Sequence, residues 1–355
     1  MTNLYDAHRQ WAQRPPDERF ASLPALYDFA KARREQSSEE VRSLSHVALT
    51  VTPDGGVAMN GETPQAHLTN WAFGQLATAV GAPARYLRTL PPDMVKECLT
   101  YGLQRSAERC KVMIRASPFA NGSGEQLWAS AFTGPAYGRI WDADVIESLT
   151  QAILGTTWRV PEASPTHGSD SSGLYASDRD MFVFLVNDEQ PVEIGNAKLG
   201  RGFFIWNSET GAATFGLTTF LYNYVCGNHI VWGAEQVQEL KIVHRLKAPD
   251  RFYRDAIPIL NRFVENRSLA ESVKDAVGRA MSTKIGTSLE EILGWFAAKP
   301  FTKREVIAGY QAGQTEGEDT STVWGMLQGL TAHARVLKHT DTRVGLERRA
   351  GALLN

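Results

Sequence analysis

The sequence predicts an α+β fold: a curved, mostly antiparallel sheet flanked by helices, with a helical C-terminal region. Three observations predict it. Residues 46–59 alternate in polarity around a Pro-Asp-Gly-Gly turn, residues 181–186 and 202–206 are unbroken apolar runs, and the chain after 249 carries helical periodicity almost throughout. The organisation expected is an N-terminal helical segment at 1–45, an α+β core at 46–248, and a helical region at 249–355.

Taken in order, residues 15–44 read as two short helices. Pro15, Pro16 and Asp17 start the first, and Ser37 and Ser38 ahead of Glu39 and Glu40 start the second. The hairpin at 46–59 follows, with alternate residues facing a core and water. At 69–80 Thr69 supplies an N-cap, Trp71, Ala72, Leu76 and Val80 recur at helical spacing, and Gly81 and Pro83 stop the helix. A second helix runs from Pro92 to about Arg105, with Val95, Cys98 and Leu99 on one face. Residues 110–116 read as a strand and 142–154 as an amphipathic helix. The polar stretch 161–178 has no apolar period and reads as a boundary loop or lid. Residues 217–232 satisfy helix and strand templates equally. Helices are expected at 251–266, 268–282, 288–297, 302–312 and 320–337.

Composition narrows the class. With 43% hydrophobic and 21% charged residues the chain affords a sizeable core, which argues against global disorder. A net charge of only −2 means that any polyanion must be met by a local patch. Three cysteines are too few and scattered for a disulfide framework, and neither a leader nor a membrane-length apolar run is evident. A cytoplasmic protein with no membrane partner is expected.

Residues 200–233 carry an N-S-x-x-G turn, Asn207-Ser208-Glu209-Thr210-Gly211, and a V-C-x-N ending, Val225-Cys226-Gly227-Asn228. The stretch from Leu68 and Thr69 to Leu87, the aromatic step from Tyr137 to Trp141, and Thr322-Val323-Trp324-Gly325 fit the same pattern. The chain thereby resembles the phage/plasmid-like protein family, a domain of unknown function numbered nine-three-two, over most of residues 46–354. His229 stands where that family commonly has Gly or Thr, so no role for it is carried over. The resemblance implies a mobile-element setting with recombination functions nearby, and brings no established reaction.

The motif residues Asn207, Ser208, Gly211, Cys226 and Asn228 read first as turn and capping chemistry. Cys226 and His229 have the spacing of half a zinc site. The remaining thiols, Cys98 and Cys110, form no knuckle, so neither metal nor other cofactor is expected. Hydrolase and nucleotide-binding motifs are absent, and no catalytic residue is assigned. The basic segments carry the leading reading. Lys111 and Arg115 share one face of a strand, and Lys241, Arg245 and Lys247 lie in a run with His244, Arg251, Phe252, Tyr253 and Arg254. Arg139, Lys198 and Arg201 are secondary candidates. Cations tracking phosphates beside aromatic rings are how single strands are held without sequence choice. The expectation is a non-enzymatic binder of nucleic acid, chiefly single-stranded DNA, acting in recombination or replication, as a homo-oligomer. Two other readings stand beside it. One is a metal-dependent phosphodiester-cleaving enzyme using Asp178, Asp180, Glu193 and Lys198, and the other is a factor that binds a host or defence protein.

Overall fold

The computed structural model describes residues 18–60, 65–118, 125–160, 173–194, 197–223, 229–230, 240–265, 269–335, 346 and 349–354. Helix α1 (Leu23–Glu35) leads into strand β1 (Ser37–Ser43), followed by β2 (Ala48–Val51), β3 (Val57–Asn60) and β4 (Ala66–Leu68). Helices α2 (Asn70–Ala79), α3 (Ala84–Leu87) and α4 (Pro92–Arg105) precede β5 (Arg109–Pro118) and β6 (Glu125–Thr133). Next come α5 (Asp142–Ile153), β7 (Trp158–Arg159), β8 (Leu174–Ala176), β9 (Met181–Ile194), β10 (Ala197–Asn207), β11 (Phe215–Asn223), β12 (His229–Ile230) and β13 (Leu240–Ile242). The C-terminal region comprises α6 (Ala248–Arg251), a π-helical turn at Phe252–Ala256, α7 (Ile257–Glu265), α8 (Leu269–Ser282), α9 (Leu289–Phe296), α10 (Lys303–Thr315) and α11 (Val323–Arg335).

The α+β class holds, with antiparallel-rich sheets and C-terminal helices, but the strands divide into two sheets. The first runs β1-β5-β6-β4-β3-β2, with β4 and β6 its parallel pair. The second runs β12-β11-β10-β9-β7, with β13 beside β11 and β8 beside β9. The first sheet buries Val112, Ile114 and Ala129 against Leu76 of α2 and Leu99 of α4. The second packs Phe203, Ile205 and Leu185 against Leu26 of α1 and Ile146 of α5. A third core lies among the C-terminal helices and takes in Leu199 of β10.

Local signals account for most helix ends. The Thr69 hydroxyl accepts the Ala72 amide at 3.1 Å, as an N-cap should. Reciprocal capping boxes open α9 (Ser288 with Glu291) and α10 (Thr302 with Glu305). The second predicted N-terminal helix is a strand instead. Ser37–Ser43 pairs along its whole length with β5, and this long-range ladder overrides the local cap signal of two serines and two glutamates. The polar stretch 161–178 also contains β8, held to β9, while 161–172 lie outside the described residues. Cys98 points outward from α4, not into its apolar face.

Helices α10 and α11 cross at glycines on both partners: Gly309 and Gly313 face Gly325 and Gly329. A Cβ on Gly329 would collide with the Gly309 carbonyl oxygen, so the backbones touch only because no side chain intervenes. Gly329→Ala is expected to cost about 1–3 kcal/mol through overpacking. Gly294→Ala, in α9 with open space around it, should add about 0.4–1 kcal/mol. Urea unfolding of the two variants checks the contrast.

Candidate functional site

The N-S-x-x-G turn joins β10 to β11 and lies at the junction of the two sheets. Gly211 takes φ +83°, the left-handed conformation such a turn requires. The four residues before it are buried, and all of them are bound to distant parts of the chain. The Asn207 amide donates to the Ile140 carbonyl at 2.8 Å and to Asp142 Oδ1 at 2.7 Å. Ser208 Oγ donates to the Arg179 carbonyl at 2.6 Å, as does Thr210 Oγ1 at 2.9 Å. The Tyr137 hydroxyl donates to the Ser208 carbonyl at 2.8 Å. Trp71 Nε1 and Gln75 Nε2 both donate to the Thr210 carbonyl, at 3.0 and 2.8 Å, which ties the turn to α2 under the first sheet. The motif residues Asn207, Ser208 and Gly211 are therefore a clasp; Cys226 and Asn228 lie outside the described residues.

Charges fill the space behind this clasp. Glu209 accepts from the Arg115 guanidinium at 2.6 Å through Oε2 and from the Asp142 amide at 3.0 Å through Oε1. Arg115 Nε also donates to Ser37 Oγ at 2.9 Å, and Arg139 Nε donates to Glu39 Oε1 at 2.6 Å. Arg33 reaches in from α1 to the Ser177 carbonyl. Burial, reinforced by Arg115, pushes the Arg33 guanidinium down to about 10. Asp142 differs from Glu209 in having an amide rather than a guanidinium on its carboxylate. Burial first, and the neighbouring Glu209 charge second, hold its pKa well above the ordinary carboxyl value.

These contacts decide the fate of the predicted cations. Strand β5 does place Lys111, Met113 and Arg115 on one face, together with Ser37, Glu39 and Val41 of β1. The clasp and the segment 134–142 pack on that face, so Arg115 meets the Glu209 carboxylate and Lys111, half-buried near its edge, meets the Tyr137 carbonyl. Arg115 and Arg139 are each 5% exposed and ion-paired, and Arg201 is buried with its guanidinium 5.7 Å from the Trp158 ring. As contacts for an external phosphate these three are corrected: burial withdraws them. Lys198 is exposed but remote. It sits near one end of β10, while Trp206 at the other end neighbours Gly216 and then Lys241, roughly 26 Å away at the usual strand rise.

The second basic run also divides. His244 is buried, and burial pushes its pKa down to about 4, so it adds no charge near neutrality. Phe252 is a core residue at 2% exposure, and Arg251 and Arg254 both bond Asp255. Tyr253 is exposed but stands in the fields of Asp144 and Glu147. Exposed cations remain at Lys241, Arg245 and Lys247, interleaved with Val243 (53% exposed) and Leu246 (70%). Lys111 joins them. Its Nζ donates to the Tyr137 carbonyl at 2.7 Å, and the next amide, Gly138 N, donates to the His244 carbonyl at 3.3 Å. Arg109, exposed and two residues before Lys111, continues the same face.

Sequence reasoning missed Glu209, Asp142, Glu39 and Arg33. The available signal was the β5 strand itself: two cations flanking a methionine on a sheet face call for internal counter-ions when that face is covered. Among the acids proposed for metal chemistry, Asp180 is buried and accepts from Ser177 Oγ at 2.9 Å. Among the described residues no group of three His, Cys, Asp or Glu side chains is placed to hold a metal ion. No helix among them is long and apolar enough to cross a membrane. Comparison with protein-family models, curated proteins and solved structures gives no match for this chain.

The two junction carboxylates should respond differently to neutralisation. Glu209→Gln leaves Arg115 buried without a counter-charge and is expected to cost about 3–5 kcal/mol. Asp142→Asn keeps an acceptor for Asn207 and should cost under about 1 kcal/mol at pH 7. Because the Asp142 pKa is raised, its stabilising contribution is full below the ordinary carboxyl range and is lost as pH rises through the raised value. Asp142→Asn should therefore flatten that part of the stability–pH curve, measured by urea unfolding between pH 4 and 9.

Proposed function

We propose that the protein binds nucleic acid, single-stranded DNA above all, through the ridge at 241–247 and the adjoining end of β5. The observation that carries this reading is the grouping of exposed Lys241, Arg245 and Lys247 beside Lys111 and Arg109. Lys241, Arg245, Lys247 and Arg109 are exposed, while Lys111 is half-buried with its Nζ on the Tyr137 carbonyl and the His244 ring is turned inward. Positive side chains on β13 and the turn after it suit a flexible phosphate backbone, and exposed Val243 and Leu246 offer apolar surface to unstacked bases. On this reading binding is electrostatic and indifferent to sequence. It suits a cytoplasmic mobile-element protein of phage or plasmid type that handles single strands during recombination or replication.

The test is titration of a labelled oligothymidylate at several salt concentrations. With three to five phosphates neutralised, log K should fall against log salt with a slope of about −2 to −3.5. Lys241→Ala, Arg245→Ala and Lys247→Ala combined should abolish most of the binding and most of the slope. Since His244 stays uncharged down to about pH 4, affinity should be flat between pH 5 and 8 even though a histidine lies inside the ridge. Salt-independent binding, or full binding by the triple variant, contradicts the reading.

A further inference from the structure

We infer that Gly138 and His244 are positioning residues that fix the spacing of the ridge cations; the inference rests on the ridge being the nucleic-acid contact. Gly138 and His244 exchange two hydrogen bonds. Gly138 N donates to the His244 carbonyl at 3.3 Å, and His244 Nδ1 lies 3.1 Å from the Gly138 carbonyl. A carbonyl only accepts, so Nδ1 carries the proton, which leaves Nε2 buried without a hydrogen-bond partner. The imidazole stacks on the Tyr137 ring, with centroids 5.0 Å apart and planes at 19°. Tyr137 is itself anchored, since its hydroxyl reaches Ser208 and its carbonyl receives Lys111 Nζ.

The Arg245 carbonyl occupies the place where a Cβ on residue 138 would stand. The same carbonyl accepts the Ala248 amide at 2.6 Å at the start of α6, and the Arg245 amide donates to the Val243 carbonyl at 2.7 Å. A side chain at 138 thus displaces the turn that carries Arg245, Leu246 and Lys247. Residues 137, 138 and 244 consequently set both halves of the track, Lys111 on one side and the ridge on the other. Holding the backbone of the turn in this way removes that part of the conformational entropy otherwise lost on binding, which is the gain from pre-organisation.

Gly138→Ala and His244→Ala remove no ridge charge, so any loss of affinity reports spacing. Both are expected to weaken binding of a labelled oligothymidylate by about tenfold, with reduced salt slopes. His244→Asn places an amide donor near the former Nδ1 and should recover most of what His244→Ala loses, a rescue that loss of bulk packing would not show. If Gly138→Ala does not fold, the His244→Ala and His244→Asn pair decides. Binding within twofold of wild type by His244→Ala, or equal losses for Ala and Asn at 244, overturns the inference. Should the triple ridge variant lose binding while these variants keep it, positioning alone falls. Should the triple variant bind as wild type, the nucleic-acid reading falls first.

Discussion

A single buried ion pair, Arg115 with Glu209, is the contact around which the two sheets are joined. Arg115 comes from the centre of β5 and Glu209 from the turn between β10 and β11, 94 residues apart, and both side chains are almost fully enclosed. Removing two charges from water costs several kcal/mol per ion, so such a pair is tolerable only when its remaining polar atoms are also bonded. The structure meets much of that condition: Ser37 takes Arg115 Nε, and the Asp142 amide takes the second Glu209 oxygen. An apolar junction would hold the sheets as well, but any greasy pairing would satisfy it. Charges fix one arrangement, because misregistered sheets would strand Arg115 without its partner.

The segment from Tyr137 to Asp142 carries this constraint outward. Arg34, Trp141, Arg139, Tyr137 and His244 form a column of alternating cations and rings, with guanidinium carbons 5.2–5.5 Å from the ring centroids and a final stacked pair. One end touches α1 and the other supports the basic ridge. The ridge is therefore built on a well-bonded support, although it lies beside β13, which has only three residues. A rigid support beneath an exposed charged turn is the arrangement expected of a binding surface.

What the residues reveal unaided follows the range of the forces involved. The helix over 70–79 and the one over 92–105 were legible because their caps, prolines and periodicity act within a few residues. The paired face of Lys111 and Arg115 was legible too, since strand alternation is local. What covers that face was not. Glu39 reads as a helix-starting acid until Arg139, 100 residues on, is seen to claim it, and that pairing accompanies the conversion of Ser37–Ser43 into a strand. Glu209 and Thr210 looked like free positions within the clasp because their partners come from α2, β5 and the start of α5. Solvent exposure of charge is a long-range property, and three of the eight proposed cations, Arg115, Arg139 and Arg201, were lost to it.

Arg115 and Glu209 thus act as one unit at the junction. A double-mutant cycle with Arg115→Met and Glu209→Leu, followed by urea unfolding, measures that coupling directly. Each single substitution is expected to cost about 3–5 kcal/mol, and the double substitution much less than their sum, a coupling of at least ~2 kcal/mol. Costs that simply add would show that the two residues act independently.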